Sequence, residues 1–545
     1  MRLRIRGGLV HDPAHYAGGR VRDIFIDGDR IVDSIAEDFV ADRVIDARDR
    51  VVLPGAVDIH CHIAGSSVNR ARRLARATTV GERDRDGAPN EFPLLPSTRS
   101  TGMRYAALGY TTAIEAAIAP TSARQCHLEL ADTPNLDRGF LLLLANHELL
   151  LEQLARGERE LARETIAWLL RRTGAFGIKA VNPGGVAHWK SRASGVASFS
   201  EPLDGLGVSP RQVLELLVDA AEHLRLPHPV HIHCNHLGEP GNIEVTLETS
   251  RALLGRRHHL THVQFHAYGV DDAGGFRSAA ELFIAHLHAH PELSADVGQV
   301  MFGDALTLSA DEELEHRLWQ LTGNPWVNLD IELETGCGIV PIRYLPRSRL
   351  HSLQWAIGLE LLLLSEDPWR LSLSTDHPNG ASFLTYPVLI AQLMDAGLRR
   401  EAIALADDRA IASTRLPDLS REYTLDEVVI VTRAGPARSL GLHDRGHLAP
   451  GARADITIHD DTRDREAMFR WPLTVIQGGD VIVDGGEPRR TSPGRTLRVA
   501  PPADDRARAS IGDWFARFGS YSMEQLGLPD DELAARTSCV EGSAP

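Results

Sequence analysis

The sequence predicts an α/β fold, a closed (β/α)₈ barrel carrying a small composite β-sandwich domain, and three observations lead there. Short apolar runs alternate with amphipathic segments about eight times between Val51 and Asp376. Strand-like segments with Gly-rich turns stand at both ends of the chain, neither set large enough to fold alone. The composition, 43% hydrophobic and 24% charged over 545 residues, is that of an ordinary globular protein. Strand–helix alternation implies a parallel sheet, and about eight repeats close it into a barrel. Length alone, at roughly 150 residues per domain, would suggest three or four units, but α/β barrels exceed that figure as single ones.

The first fifty residues read as strands: Arg2–Arg6, Arg22–Asp27 and Arg30–Ile35 about an Asp27-Gly28-Asp29 turn, then Arg43–Ala47. Ala454–His459, Leu473–Gln477 and Asp480–Asp484 match them near the far end. The simplest arrangement is one domain that the chain leaves and re-enters, residues 1–52 with 445–500, around a barrel of residues 53–444. The barrel runs are Val51–His60, Gly109–Glu115, Gly139–Asn146, Phe176–Val181, Pro229–Cys234, His258–Gln264 and Arg370–Asp376. Either Leu293–Gly298 or Val327–Leu333 supplies the seventh strand, the other being an insertion. Helices fall between the runs, at Pro210–Leu224, Leu350–Ser365 and Thr424–Leu440, the last opening on a Thr424/Glu427 capping box. Ser66–Thr101, rich in Arg and Pro, is too long for a plain connection and follows the first strand, where barrel active sites lie, so it reads as a lid or subunit contact. The tail, 501–545, is polar with an apolar patch of Trp514, Phe515 and Phe518; such a tail usually packs on its own domain, and a subunit contact is the less common alternative.

Charge and cysteine usage exclude several classes. With 58 basic against 74 acidic side chains the net charge is −16, which argues against duplex nucleic-acid binding. No apolar stretch approaches the ~20 residues of a membrane span, and the alternating N-terminus lacks the apolar core of a signal peptide. The five cysteines, never in a CxxC pair, disfavour a disulfide framework, an iron–sulfur cluster and a zinc ribbon. A cytoplasmic protein is expected.

The polar residues that interrupt the apolar runs carry the chemistry. Val57-Asp58-Ile59-His60-Cys61-His62 puts two imidazoles at one strand end, and the strand period of two turns His60 and His62 to the same side. Phe176–Val181 holds Lys179 inside an apolar strand, where an unpaired ammonium costs several kcal/mol. The chain has only two lysines, the other being Lys190 in a polar run that reads as surface. A neutral lysine amine can add CO₂ to give a carbamate that bridges two cations, which arginine cannot readily do. His233 ends the next run and His262 follows 29 residues later, one βαβ repeat away. Leu371–His377 ends a strand in Asp376. The order His-x-His, Lys, His, His, Asp offers nitrogen and oxygen donors suited to zinc.

This order on a barrel resembles the binuclear amidohydrolase superfamily, with its TIM-like metallo-dependent hydrolase barrel. Longer motifs resemble one branch of it, the A-subunit of formylmethanofuran dehydrogenase. They are His233-Cys-Asn-His-Leu-Gly-Glu-Pro-Gly-Asn242, His262-Val-Gln-Phe-His-Ala-Tyr-Gly269, Asp296-Val-Gly-Gln-Val-Met-Phe-Gly303, Thr335-Gly-Cys-Gly-Ile-Val-Pro341 and Ser374-Thr-Asp-His-Pro-Asn-Gly380. The family works in archaea beside a tungsten or molybdenum formate dehydrogenase partner, and in methylotrophic bacteria within a formyltransferase/hydrolase complex. The arginine bias, typical of a GC-rich genome, favours the bacterial setting. The resemblance implies two zinc ions bridged by carboxylated Lys179, one held by His60, His62 and Asp376 and the other by His233 and His262. It also implies Asp376 as general base and then acid, His266 and Asn235 as groups orienting a formyl amide, and a methanofuran-type carrier as substrate. Other subunits of the complex are the implied partners. The rivals are the archaeal-type dehydrogenase component, a cyclic-amide hydrolase of the dihydroorotase or hydantoinase type, and a scaffold subunit with a vestigial site.

Overall fold

A barrel strand sheathed by helices outside and filled by side chains inside is buried on both faces, so its sequence is an apolar run rather than an alternation. Ala56–Cys61 is buried at every position, as are Asp137–Leu143, Gly177–Val181 and Val230–His233. In the computed structural model, which describes residues 1–33, 39–74, 94–190, 198–310, 338–518 and 522–541, these strands form one parallel sheet. Its order is Ala56–Cys61, Tyr110–Ile118, Asp137–Leu143, Gly177–Val181, Val230–His233, His258–Leu260, Leu293–Asp296 and Leu371–Ser372, eight barrel strands in chain order. A parallel bridge between Cys61 and His377 joins the last to the first, and the His62 amide donates to the His377 carbonyl at 2.7 Å.

Leu293–Asp296 is the seventh strand, paired with His258–Leu260 on one side and Leu371–Ser372 on the other. The rival segment, Val327–Leu333, lies outside the described residues. Three expected helices are present at Pro210–His223, Arg349–Leu364 and from Leu425 onward, the last with its Thr424/Glu427 capping box and a π-helical turn at Ile430–Ala434.

Strands from the two ends of the chain share a second sheet. Arg2–Val10 pairs with Arg20–Asp27, Arg43–Asp46 and Arg50–Pro54, and Arg50–Pro54 pairs antiparallel with Ile456–Asp460 from Arg50↔Asp460 to Pro54↔Ile456. Thr474–Gln477 and Asp480–Asp484 extend it. Buried Asp137 ties this sheet to the barrel. It accepts from Gln477 Nε2 at 3.0 Å and the Arg495 amide at 2.8 Å, and pairs with Arg445 and Arg453.

Two expectations are corrected. Thr496–Arg498, placed by sequence in the composite domain, pairs in parallel with the third barrel strand through Thr496 and Arg138. Ser66–Thr101 is not a plain loop at its ends: helices run from Ser66 to Leu74 and from Thr98 to Ala107, while residues 75–93 lie outside the description. Val68 and Ala71 of the first helix bury against Leu306, Leu308 and Ile339, partners too remote in sequence to be read locally. In the tail, Trp514 is 6% exposed, because the helix Asp505–Phe518 lays it with Ala507 and Ile511 against Leu149 and Trp168. Phe515 is half-buried, and the Phe518 side chain is outside the described residues. No described helix is long and apolar enough to cross a membrane.

Candidate metal centre

The strand period delivers what the His-x-His spacing promises. His60 and His62 turn their Nε2 atoms to one carboxylate oxygen, Asp376 Oδ1, at 3.0 and 3.1 Å. Asp376 reaches this point from just beyond the eighth strand with a left-handed backbone, φ 48°, and Asn379 Nδ2 donates to the same oxygen at 2.7 Å. His262 is also left-handed, φ 34°. A non-glycine residue held there costs about 1–3 kcal/mol, and such strain gathers at functional sites. Gly298 makes the His262 bend possible: a Cβ at that position, itself at φ 65°, would lie 2.3 Å from His262 Cβ.

A second group assembles opposite the first. His262 Nε2 lies 3.1 Å from His233 Nδ1, and the His266 ring stacks on His262 at a centroid distance of 5.3 Å. The donor atoms of His60, His62 and Asp376 lie within 4.8 Å of one another, and so do those of His233, His262 and His266. Lys179, 2% exposed, enters the same space from the fourth strand. Its Nζ donates to Thr261 Oγ1 at 3.2 Å, and its charge contributes to lowering His233 and His262. Asn235 gives its Nδ2 to Asn182 Oδ1 at 2.7 Å and to the Pro183 carbonyl, leaving its Oδ1 without a protein donor. The chain thus gathers His60, His62 and Asp376, and His233 and His262, as their order suggested. His266, read from sequence as a substrate contact, falls inside a possible ligand group.

The atoms left over test whether a metal fits. His233 Nε2, His262 Nδ1 and both nitrogens of His266 are buried without a hydrogen-bond partner, while the Nε2 atoms of His60 and His62 meet Asp376 Oδ1. Buried polar atoms are rarely abandoned in this way, and four in one pocket are what a cation would complete. The protonation states agree. Burial pushes His262 down to about 3 and holds His233 and His266 far below the usual imidazole range, so all three rings are neutral, as ligands must be. Burial works against the Asp376 anion, but protonated His60 and His62 outweigh it and keep the carboxyl well below the ordinary range; against burial, the same contact raises His60 and pushes His62 up to about 9, a charge that a bound cation would replace.

Carboxylates behind the imidazoles orient them, in the manner of outer partners at metal sites. Glu115, within the second strand, lies 3.1 Å from His62 Nδ1 and accepts the Ile63 and Ala64 amides. Asp296, at the end of the seventh, lies 3.2 Å from His60 Nδ1, accepts the His262 amide at 3.2 Å and takes the Ser374 hydroxyl at 2.5 Å. It therefore links the ends of the first, sixth and eighth strands. Sequence reasoning missed Glu115 and Asp296 in these roles. Their signal was there, since both stand at the polar ends of apolar runs.

A barrel hydrolase is the class that this fold and this gathering of strand-end donors define. The chain belongs to the amidohydrolase family, whose model matches residues 43–482. It is 41% identical over its whole length to the whole of the A-subunit of the formyltransferase/hydrolase complex Fhc of Methylorubrum extorquens. It is 35% identical to the protein FwdA of Methanocaldococcus jannaschii, over 97% of each chain. One component of the formyltransferase/hydrolase complex FhcABCD of Methylorubrum extorquens, whose crystal structure was determined in complex with methylofuran, superposes with a TM-score of 0.92 at 39% identity, covering all of both chains.

Proposed function

We propose that this chain hydrolyses an N-formyl amide on a methanofuran-type carrier, giving formate and the free carrier amine, as the A-subunit of a formyltransferase/hydrolase complex. The observation that carries the reading is the cluster of partnerless imidazole nitrogens around Asp376 and Lys179 at the carboxyl ends of the barrel strands. The end-to-end likeness to a component of such a complex supports the substrate and the partners, and its 41% identity against 35% to FwdA favours the hydrolase over the dehydrogenase setting. An intact donor set speaks against a vestigial scaffold.

His60, His62 and Asp376 would hold one zinc ion, and His233 and His262 the other, with His266 within reach of the second. Lys179, were its neutral amine to add CO₂ and release a proton, would supply a carbamate anion as a further ligand. When bound, such ions supply the Lewis acidity that amide hydrolysis needs near neutral pH. Asp376, ionised and beside both His60 and His62, takes the proton of the attacking water and returns it to the departing amine. Asn235 offers only an oxygen, which suits the N–H of a formamide; a protonated nitrogen of His266 suits its carbonyl.

The test is metal analysis of the natively purified protein together with turnover of an N-formyl amine and of a cyclic imide. Two zinc ions per chain with activity on the formyl amine alone are expected. A metal-free chain, or one that opens the cyclic imide instead, refutes the reading.

A further inference from the structure

Beneath His60 the barrel interior holds His228, His231 and His259, all fully buried and none among the proposed metal donors. Three of the bonds there run head to tail. His228 Nδ1 lies 2.7 Å from the Ser439 carbonyl oxygen, His228 Nε2 lies 3.0 Å from His231 Nδ1, and His231 Nε2 lies 3.1 Å from His60 Nδ1.

Donor and acceptor accounting assigns every proton in this chain, which the heavy atoms alone do not. A carbonyl oxygen only accepts, so His228 carries its proton on Nδ1. Buried and set beside His259, the His228 ring is neutral, pushed down to about 3, and its Nε2 holds a lone pair. That lone pair takes a hydrogen from His231 Nδ1. His231, equally buried, then has a bare Nε2 facing His60 Nδ1, so the proton of His60 sits on Nδ1. Asp296 Oδ2, 3.2 Å from the same Nδ1, is a second acceptor, but it is shared with His259 Nε2 at 3.2 Å.

We propose that the Ser439 carbonyl, His228 and His231 form a tautomer relay that fixes the proton of His60 on Nδ1 and so presents Nε2 as a lone-pair ligand beside Asp376. The relay deepens the metal reading above and rests on it. No ring changes its charge; each only dictates where its neighbour's proton resides. The relay also accounts for the His60–His231–Asp296 group, whose donor atoms lie within 4.8 Å of one another: protons, not a third cation, fill it. His228 and His231 are positioning residues in this scheme, acting on the metal through His60.

Zinc binding to the metal-free, full-length chain tests the relay from its far end. His228→Phe keeps a ring but cannot accept from His231. His231 is then free to carry its proton on Nε2, against His60 Nδ1, and to drive the His60 proton onto the metal-facing nitrogen. An affinity loss of ~10–100-fold is expected, the range for outer partners of metal ligands. His228→Gln, whose amide offers both a donor and an acceptor, should restore it. Unchanged zinc affinity in His228→Phe, or an equal loss in both variants, overturns the relay. Nitrogen-15 spectra of the histidine-labelled, unsubstituted chain decide the matter whether or not the variants fold. His228 and His231 should both be the Nδ1–H tautomer, and a His231 protonated at Nε2 overturns the relay. An unsubstituted chain that binds no zinc refutes the hydrolase reading instead, and the two failures are told apart.

Discussion

Lysine and arginine share a charge, but only lysine has an amine that can become neutral and add CO₂. Substituting Lys179 by Arg should therefore abolish hydrolysis although the positive charge stays. Near-normal turnover with two zinc ions per chain would refute the carbamate. Lys190→Arg, by contrast, should leave turnover unchanged. Asp376→Asn removes an anionic ligand and the proton shuttle with little change in volume, so the fold should survive. Turnover should fall at least ~10²-fold, the lower range for acid–base catalysis, and a variant with wild-type turnover would remove Asp376 from the mechanism. Both residues were legible because each is a charged group in an apolar run, a placement that demands a partner. His266 was harder. It lies in a short helical turn, Val263–His266, beyond a strand, and only the left-handed bend at His262 brings its ring over the ligands.

At the scale of elements, the strand ends are locked to one another more tightly than any single run suggests. The turn after the seventh strand passes against His262, and Gly298 is the contact. In Gly298→Ala the new methyl would have to displace the His262 backbone or the turn. Overpacking of this kind costs ~1–3 kcal/mol, before the left-handed conformation at Gly298 is counted. We expect a lower melting temperature and loss of zinc from the His233–His262 group while the His60–His62 group retains its own. Full zinc occupancy with unchanged melting would show that the turn is slack. Helices with strong caps or amphipathic faces, such as Pro210–His223, were legible from sequence. Ser66–Leu74 was not, since among its described side chains the buried apolar face is Val68 and Ala71, and their partners lie near residues 306 and 339.

For the whole molecule, the proposed substrate sets the expectation. A carrier that brings its formyl group from another subunit must swing its end into the barrel mouth, leaving most of its body to be bound elsewhere. The isolated chain should thus hydrolyse a formylated carrier poorly, and partner subunits should lower KM more than they raise kcat. Steady-state kinetics with and without the partners measure this, and a monomer fully active on the carrier would contradict it. The tail is a weaker candidate for the contact than its composition suggests, because Trp514 is already buried against the chain's own helix.

The strand period and the βαβ repeat are local properties, and they sufficed for the barrel, the order of its donors and the pairing of His60 with His62. Closure of the barrel decided the rest. His60 meets Asp296 across 236 residues and His231 across 171, and His62 meets Glu115 across 53, so no local window of sequence pairs these residues. A histidine in an apolar run looks the same whether it binds metal, orients a ligand or relays a tautomer. Which of these it does depends on the atoms that its two ring nitrogens face, and only the closed barrel supplies those.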